Sequence, residues 1–171
     1  RAGRMERVHP TRRQVRRGVV VVGADGARSI VAQHTGLLPH CDSQLGLAVR
    51  GYFEQVEGVT DQLELHCFDR LRPGYVWMFP CGGGRVNVGL YLLKSRRPRA
   101  DRPMVPQFWD LVRRHPTLAA RFRSASLVGP LTGWPLPLWS HRRRLSTEGA
   151  LLIGDAAHLI DPATGEGIGN A

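Results

Sequence analysis

Lysine is nearly absent from this 171-residue sequence: of its 24 basic residues, only Lys94 is not arginine. The formal net charge of +10 would ordinarily point to nucleic acid or an anionic surface. An arginine skew of this kind is what a GC-rich coding sequence produces anywhere. The clusters Arg12-Arg13, Arg16-Arg17, Arg96-Arg97 and Arg142-Arg143-Arg144 are scattered instead of gathered on one helix face. They read as solvated surface, with a basic module for RNA or anionic lipid as the competing reading. Cysteine is equally sparse. Cys41, Cys67 and Cys81 are odd in number and fit no metal-ligand spacing, which excludes a disulfide framework and a zinc module. No apolar run nears the roughly 20 residues that cross a bilayer. The first 17 residues carry seven arginines with no apolar stretch to follow, so no signal peptide is expected and a reducing cytosol is the default location. A Walker phosphate loop and a Gly-x-Ser-x-Gly elbow are also missing, which argues against a nucleotide hydrolase and an α/β-hydrolase.

What remains is a globular composition, 42% hydrophobic and 22% charged. From Gly18 the run Gly-Val-Val-Val-Val-Gly-Ala-Asp-Gly reads as a buried parallel-type strand, a tight turn, and a helix from Ala27 to Thr35 stopped by Gly36. Period-two alternation follows through Leu45 to Glu54, Leu63 to Phe68, Tyr75 to Phe79 and Val86 to Leu92. The last two are joined by Gly82-Gly83-Gly84 as a hairpin. An antiparallel sheet therefore occupies about residues 44 to 93. Lys94 to Pro106 reads as an exposed connection, and short helices carry Phe108, Leu111 and Val112, then Leu118 and Phe122. A strand over about 126 to 138, interrupted by Pro130, Pro135 and Pro137, must lie at an edge or end there. Ala150 to Ile153 is a further short buried strand.

Two strands run into the same kind of turn, Gly23-Ala24-Asp25-Gly26 and Gly154-Asp155-Ala156-Ala157-His158. Small residues at a strand's carboxyl end admit a ligand to the backbone, and an acidic side chain there accepts hydrogen bonds from ribose or ribityl hydroxyls. The plainer reading makes each Asp the cap of the next helix. The second turn is followed at Pro162 by Pro-Ala-Thr-Gly-Glu-Gly-Ile-Gly-Asn, a glycine-rich turn opening a helix whose free N–H groups suit an anionic or carbonyl-rich ligand. It is not a Gly-x-Gly-x-x-Gly fingerprint, because it does not directly follow a strand.

These motifs carry a resemblance. Gly23 to Gly26 with Arg28-Ser29 resembles the DG motif, and Gly154 to Asn170 the GD motif, of FAD-dependent flavoproteins of the aromatic hydroxylase superfamily. Tyr75-Val76-Trp77-Met78-Phe79-Pro80 with Gly82 to Gly89, and Pro135 to Leu138 with Arg142 to Leu145, are similar to the geranylgeranyl reductase branch. The resemblance implies an α/β fold: part of a Rossmann-like FAD-binding domain (1–43 and 136–171) interrupted by a mostly antiparallel substrate-binding sheet with helices (44–135). It implies that Asp155, with Gly154 and Ala156, holds the ribityl chain. Gly167, Ile168 and Gly169 would present N–H groups to the flavin's pyrimidine end, Asp25 with Gly26 would border the pyrophosphate, and Gly23, Pro162, Gly165 and Asn170 would also belong to the cofactor site. Tyr75, Trp77, Phe79 and Pro80 would wall the substrate, plain core packing being the rival reading for the aromatics.

The resemblance further implies FAD as cofactor, NADPH or NADH as electron donor, and a small-molecule substrate, isoprenoid or aromatic. The expected reaction is reduction of isoprenoid double bonds, with FAD-dependent hydroxylation of an aromatic or polyketide as the alternative. No nucleic-acid partner is expected, and an isoprenoid substrate leaves peripheral membrane contact open. No catalytic residue and no metal site is assigned. The family's N-terminal Gly-x-Gly-x-x-Gly turn is not in the sequence, and the sequence stops inside the GD segment, so the chain is expected to be an inactive fragment of a longer enzyme. His158, usual in the hydroxylase branches, is read as capping its turn.

Overall fold

The computed structural model describes residues 4–9, 12–37, 44–71, 73–96, 103–139 and 143–170. Cys41, Arg97 and Arg142, singled out above, lie outside them, as do the side chains of Arg12, Arg13, Arg16, Arg17 and Arg96. The chain forms two compact units, Arg1–Cys41 with Leu136–Ala171, and Asp42–Pro135.

The first unit contains a hairpin that the arginine-rich composition had hidden, β1 (Arg4–His9) paired antiparallel with β2 (Arg12–Arg17). It also contains β3 (Val21–Gly23), α1 (Ile30–Thr35), β9 (Ser146–Thr147) and β10 (Ala150–Leu152). β10 lies between β3, its parallel partner, and β9. β3 is a strand of the parallel type expected, but it is three residues long. Val19 is 85% exposed, and Val20 and Val22 are half exposed, so the valine run is not a buried strand. The helix starts at Ile30 instead of Ala27 because Ser29 caps it, its Oγ accepting from the Ala32 N–H at 2.9 Å. Gly36 ends it in the left-handed region at φ 64°. Val31, Ala32, Leu37, Leu152 and Ala157 form the small core of this unit.

The second unit is a five-stranded sheet in the order β5-β6-β7-β4-β8. The strands are β4 (Leu45–Glu54), β5 (Glu64–His66), β6 (Gly74–Pro80), β7 (Arg85–Leu93) and β8 (Ser126–Pro137). β5, β6, β7 and β4 are joined antiparallel. β8 sits at an edge, the position a proline-bearing strand requires, and it runs unbroken through Pro130, Pro135 and Pro137. One sheet face buries Val49, Phe53, Val76, Met78, Val88 and Leu90 against Phe108, Val112 and Leu118 of α2 (Met104–Arg114) and α3 (Pro116–Arg121). Pro106 lies inside α2 and not in a connection. It occupies the first turn, where an N–H has no helical partner to lose.

β5 inverts the expected alternation. Leu63 and Leu65 are 70% and 58% exposed, while Glu64 and His66 turn toward the helices. The cause is Arg121 of α3. Its Nη1 and Nη2 donate to both oxygens of Glu64, the latter at 2.9 Å, and its Nε donates to the Glu57 carbonyl at 2.8 Å. His66 Nε2 adds a contact to Glu64 Oε2 at 2.9 Å. A two-pronged, charge-assisted pair outweighs the apolar area of two leucines on a three-residue edge strand. The Arg121 hydrogen bonds hold the Glu64 carboxyl below its usual 4.5 despite burial. The pair therefore contributes stability above that value and loses it as pH falls through the lowered one. Glu64→Gln is expected to destabilise the protein at pH 7 but to flatten its decline in acid, which denaturant melts between about pH 3 and 7 would record. Parallel wild-type and variant curves would refute this.

Candidate functional site

Because β3 and β10 are parallel neighbours, with Leu152 opposite Gly23 and the Ile153 N–H donating to the Gly23 carbonyl at 3.0 Å, their carboxyl ends open side by side. The two Gly/Asp turns, far apart in sequence, thus share one mouth. Gly23 serves packing there: a Cβ would stand 2.6 Å from Leu152 Cδ2 and 2.9 Å from Val31 Cβ.

The two aspartates differ in kind. Asp25 Oδ1 accepts from Ser29 Oγ at 2.5 Å, and Oδ2 accepts from the N–H groups of Ile30 (2.7 Å) and Val31 (3.3 Å). Burial alone would raise its pKa, but these hydrogen bonds prevail and hold it below the usual value. Asp25 is saturated by the start of α1, and its capping role is the one the geometry displays; Gly26 turns beside it at φ 78°.

Asp155 has the opposite environment. It sits in the single 3-10 turn Gly154–Ala157, entered through Gly154 at φ 55°, with Ala156 and Ala157 buried beneath. Among the described residues no hydrogen bond reaches its carboxylate, and burial pushes its pKa up. A half-buried carboxylate without donors destabilises the fold until something supplies them. Gly167 leaves the space beside it open: a Cβ there would lie 3.2 Å from Asp155 Oδ1 and 2.9 Å from Ile160 Cγ1.

The loop that brings Gly167 to Asp155 is organised by Asp161, a residue the sequence reading passed over. Asp161 Oδ1 accepts from the Ala163 N–H and Thr164 N–H, each at 2.8 Å, and from Thr164 Oγ1 at 3.0 Å. Its backbone closes the turn through Asp161 N–H to the Glu166 carbonyl and Gly165 N–H to the Asp161 carbonyl, both 2.8 Å. The Asp-Pro-x-Thr-Gly order, an Asx-turn pattern, was the available signal. These hydrogen bonds hold the Asp161 carboxyl below its usual value.

Downstream, only the 3-10 turn Ile168–Asn170 is formed, not an α-helix. Gly169 N–H is taken by Glu166 Oε1 at 2.9 Å, and Asn170 Nδ2 donates to the Leu159 carbonyl at 3.1 Å. The N–H groups of Gly167 and Ile168 make no hydrogen bond among the described residues, and Ile168 is 90% exposed. Pro162 is exposed on the same loop. His158 adopts φ 56°, ψ 48° and its Nδ1 accepts from Arg143, so it terminates its turn as expected. These residues fit FAD. Asp155 would take the ribityl hydroxyls, and the Gly167 and Ile168 N–H groups the pyrimidine carbonyl.

In the second unit, the sheet face away from the helices carries a row of aromatic side chains. Tyr75, Trp77 and Phe79 are half-buried along β6, with successive ring centroids 6.2 and 6.4 Å apart, and Tyr91 stands 5.3 Å from Tyr75. They are thus not part of the Val76-Met78 core, which is the other face of the same strand. Trp77 lies flat across Gly89, whose Cβ would meet the indole at 2.0 to 2.5 Å, and its Nε1 donates to Asn87 Oδ1 at 2.9 Å. The register sets Trp77, Gly89 and Arg50 in one row, and Phe79, Asn87 and Tyr52 in the next. Pro80 ends the strand, paired with Val86.

Known proteins resemble the chain along nearly its whole length. The model of the FAD binding domain matches residues 4–171. Menaquinone reductase of Mycolicibacterium smegmatis is 34% identical over 86% of this chain and 37% of its own length. Digeranylgeranylglycerophospholipid reductase of Methanosarcina mazei is 31% identical over 91% of this chain and 37% of its own length. The chain therefore spans little more than a third of the curated relatives it matches. The crystal structure of a geranylgeranyl bacteriochlorophyll reductase-like protein from Thermoplasma acidophilum superposes with a TM-score of 0.77 at 25% identity, over 95% of this chain and 40% of that one. The flavin-dependent halogenase CmlS, at 18% identity and a TM-score of 0.74 over 99% of this chain and 31% of its own, shares the fold. With the family model spanning nearly every residue, the chain belongs to the FAD binding domain family.

Proposed function

We propose that the protein containing this chain reduces carbon–carbon double bonds of a polyisoprenoid substrate, with NADPH or NADH as the electron donor. The observation that carries this reading is the similarity to reductases at 30–35% identity along most of the chain, among them reductases named for digeranylgeranylglycerophospholipid. The aromatic face supports it: Tyr75, Trp77 and Phe79 offer a broad apolar wall with few hydrogen-bonding groups, suited to an alkene chain. Bound FAD supplies the hydride chemistry, and the protein orients the flavin and keeps water from the reacting bond. The net reaction oxidises one nicotinamide and adds its hydride and one proton across the double bond.

Oxygen decides between this and hydroxylation. The full-length protein with NADPH and geranylgeranyl diphosphate or a geranylgeranyl lipid is expected to saturate double bonds under anaerobic conditions. Turnover that consumes oxygen stoichiometrically and inserts a hydroxyl would overturn the reading. No helix among the described residues is long and apolar enough to cross a membrane.

A further inference from the structure

Arg50 stands on the aromatic face as a half-buried cation without an anion. Its guanidinium carbon lies 4.9 Å above the Tyr52 ring, and no carboxylate pairs with it among the described residues. Among the described residues of this unit, the other half-buried arginine, Arg121, has both oxygens of Glu64. Tyr52 contributes a modest cation–π attraction, which leaves the in-plane N–H donors of the guanidinium free for a planar or tetrahedral oxyanion. The register sets Arg50 in the row of Gly89 and Trp77, two strands and so about 10 Å of backbone from Trp77. Gly89, without a side chain, lets the indole lie over β7 toward β4. The face therefore runs from an apolar end at Leu65, Trp77 and Phe79 to a cationic end at Arg50 and Tyr52.

Resting on the reductase reading, we infer that Arg50 binds an anionic headgroup, phosphate or diphosphate, of the isoprenoid substrate. The chain of that substrate lies along Trp77. The substrate class is then an anionic isoprenoid and not a neutral one. Arg50 is a specificity-determining residue: it sets which molecules bind and in which direction they lie.

The test uses the full-length, FAD-loaded protein with geranylgeranyl diphosphate and with geranylgeraniol, its neutral alcohol. Wild type is expected to favour the diphosphate in kcat/KM. Arg50→Met is expected to reduce that preference tenfold or more through KM for the diphosphate, and Arg50→Lys to restore part of it. An unchanged preference in Arg50→Met overturns the assignment while leaving the reductase reading intact. So does a loss of FAD affinity with the preference unchanged, which would give Arg50 to the flavin. Reduction of neither substrate by wild type overturns the reductase reading, and the assignment with it.

Discussion

Asp155→Asn is expected to raise the melting temperature of the flavin-free protein at pH 7 while weakening its hold on FAD by about tenfold or more. The two effects have one origin. Burial raises the Asp155 pKa, and no donor among the described residues offsets the cost of its charge. The protonated form is thus favoured in the fold, and the stability this gives is present below the unfolded value of 3.8 and lost as pH rises through the raised one. A neutral, isosteric amide removes that penalty at pH 7 and changes little in acid. FAD bound at this turn would lose a charge-assisted hydrogen bond worth about 1.5–3 kcal/mol, where 1.4 kcal/mol is a factor of ten. Thermal melts of the apoprotein and flavin fluorescence titration measure the two arms. A variant that binds FAD as tightly as wild type would remove Asp155 from the cofactor site, whatever its melting temperature.

Gly89→Ala is expected to cost about 1–3 kcal/mol of stability, the usual penalty for forcing an extra methyl into a packed position. In a unit of this size that lowers the melting temperature by several degrees per kcal/mol. The added carbon would fall 2.0 Å from the Trp77 ring, and the indole cannot slide aside without breaking its bond to Asn87 and its contacts with Tyr75 and Phe79. The Gly89→Ala/Trp77→Ala double variant should be far less impaired than the sum of the singles, because the second change removes what the first collides with. Additive losses would show that Trp77 does not rest on Gly89. Turnover should fall in Gly89→Ala by more than its stability loss explains if the indole is the substrate wall.

What could be read from the sequence was whatever depends on near neighbours. The strand-turn pairs at Gly23 and Gly154, the hairpin around Gly82 to Gly84, the Pro116 helix start and the proline-bearing edge strand each carry their own local signal. The inward face of β5 could not be read this way, because Arg121 selects it from 57 residues away. Nor could the difference between Asp25 and Asp155. Both follow a strand and a small residue, yet one finds three donors at the start of α1 and the other finds none among the described residues. The β1–β2 hairpin carries only Met5, Val8 and Val15 as apolar residues among its arginines, too few and too irregularly spaced for an alternation to show.

The pairing of β3 with β10 bears on how the protein is made. The whole of Asp42–Pro135 lies between the two strands, so β3 leaves the ribosome on the order of ten seconds before its partner at synthesis rates of about 5–20 residues per second. During that interval every strand of the inserted sheet has at least begun to emerge, while β3 has no β10 to pair with. Chain order therefore lets the insert assemble first and leaves the β3–β10 pairing, which joins the two Gly/Asp turns, for last.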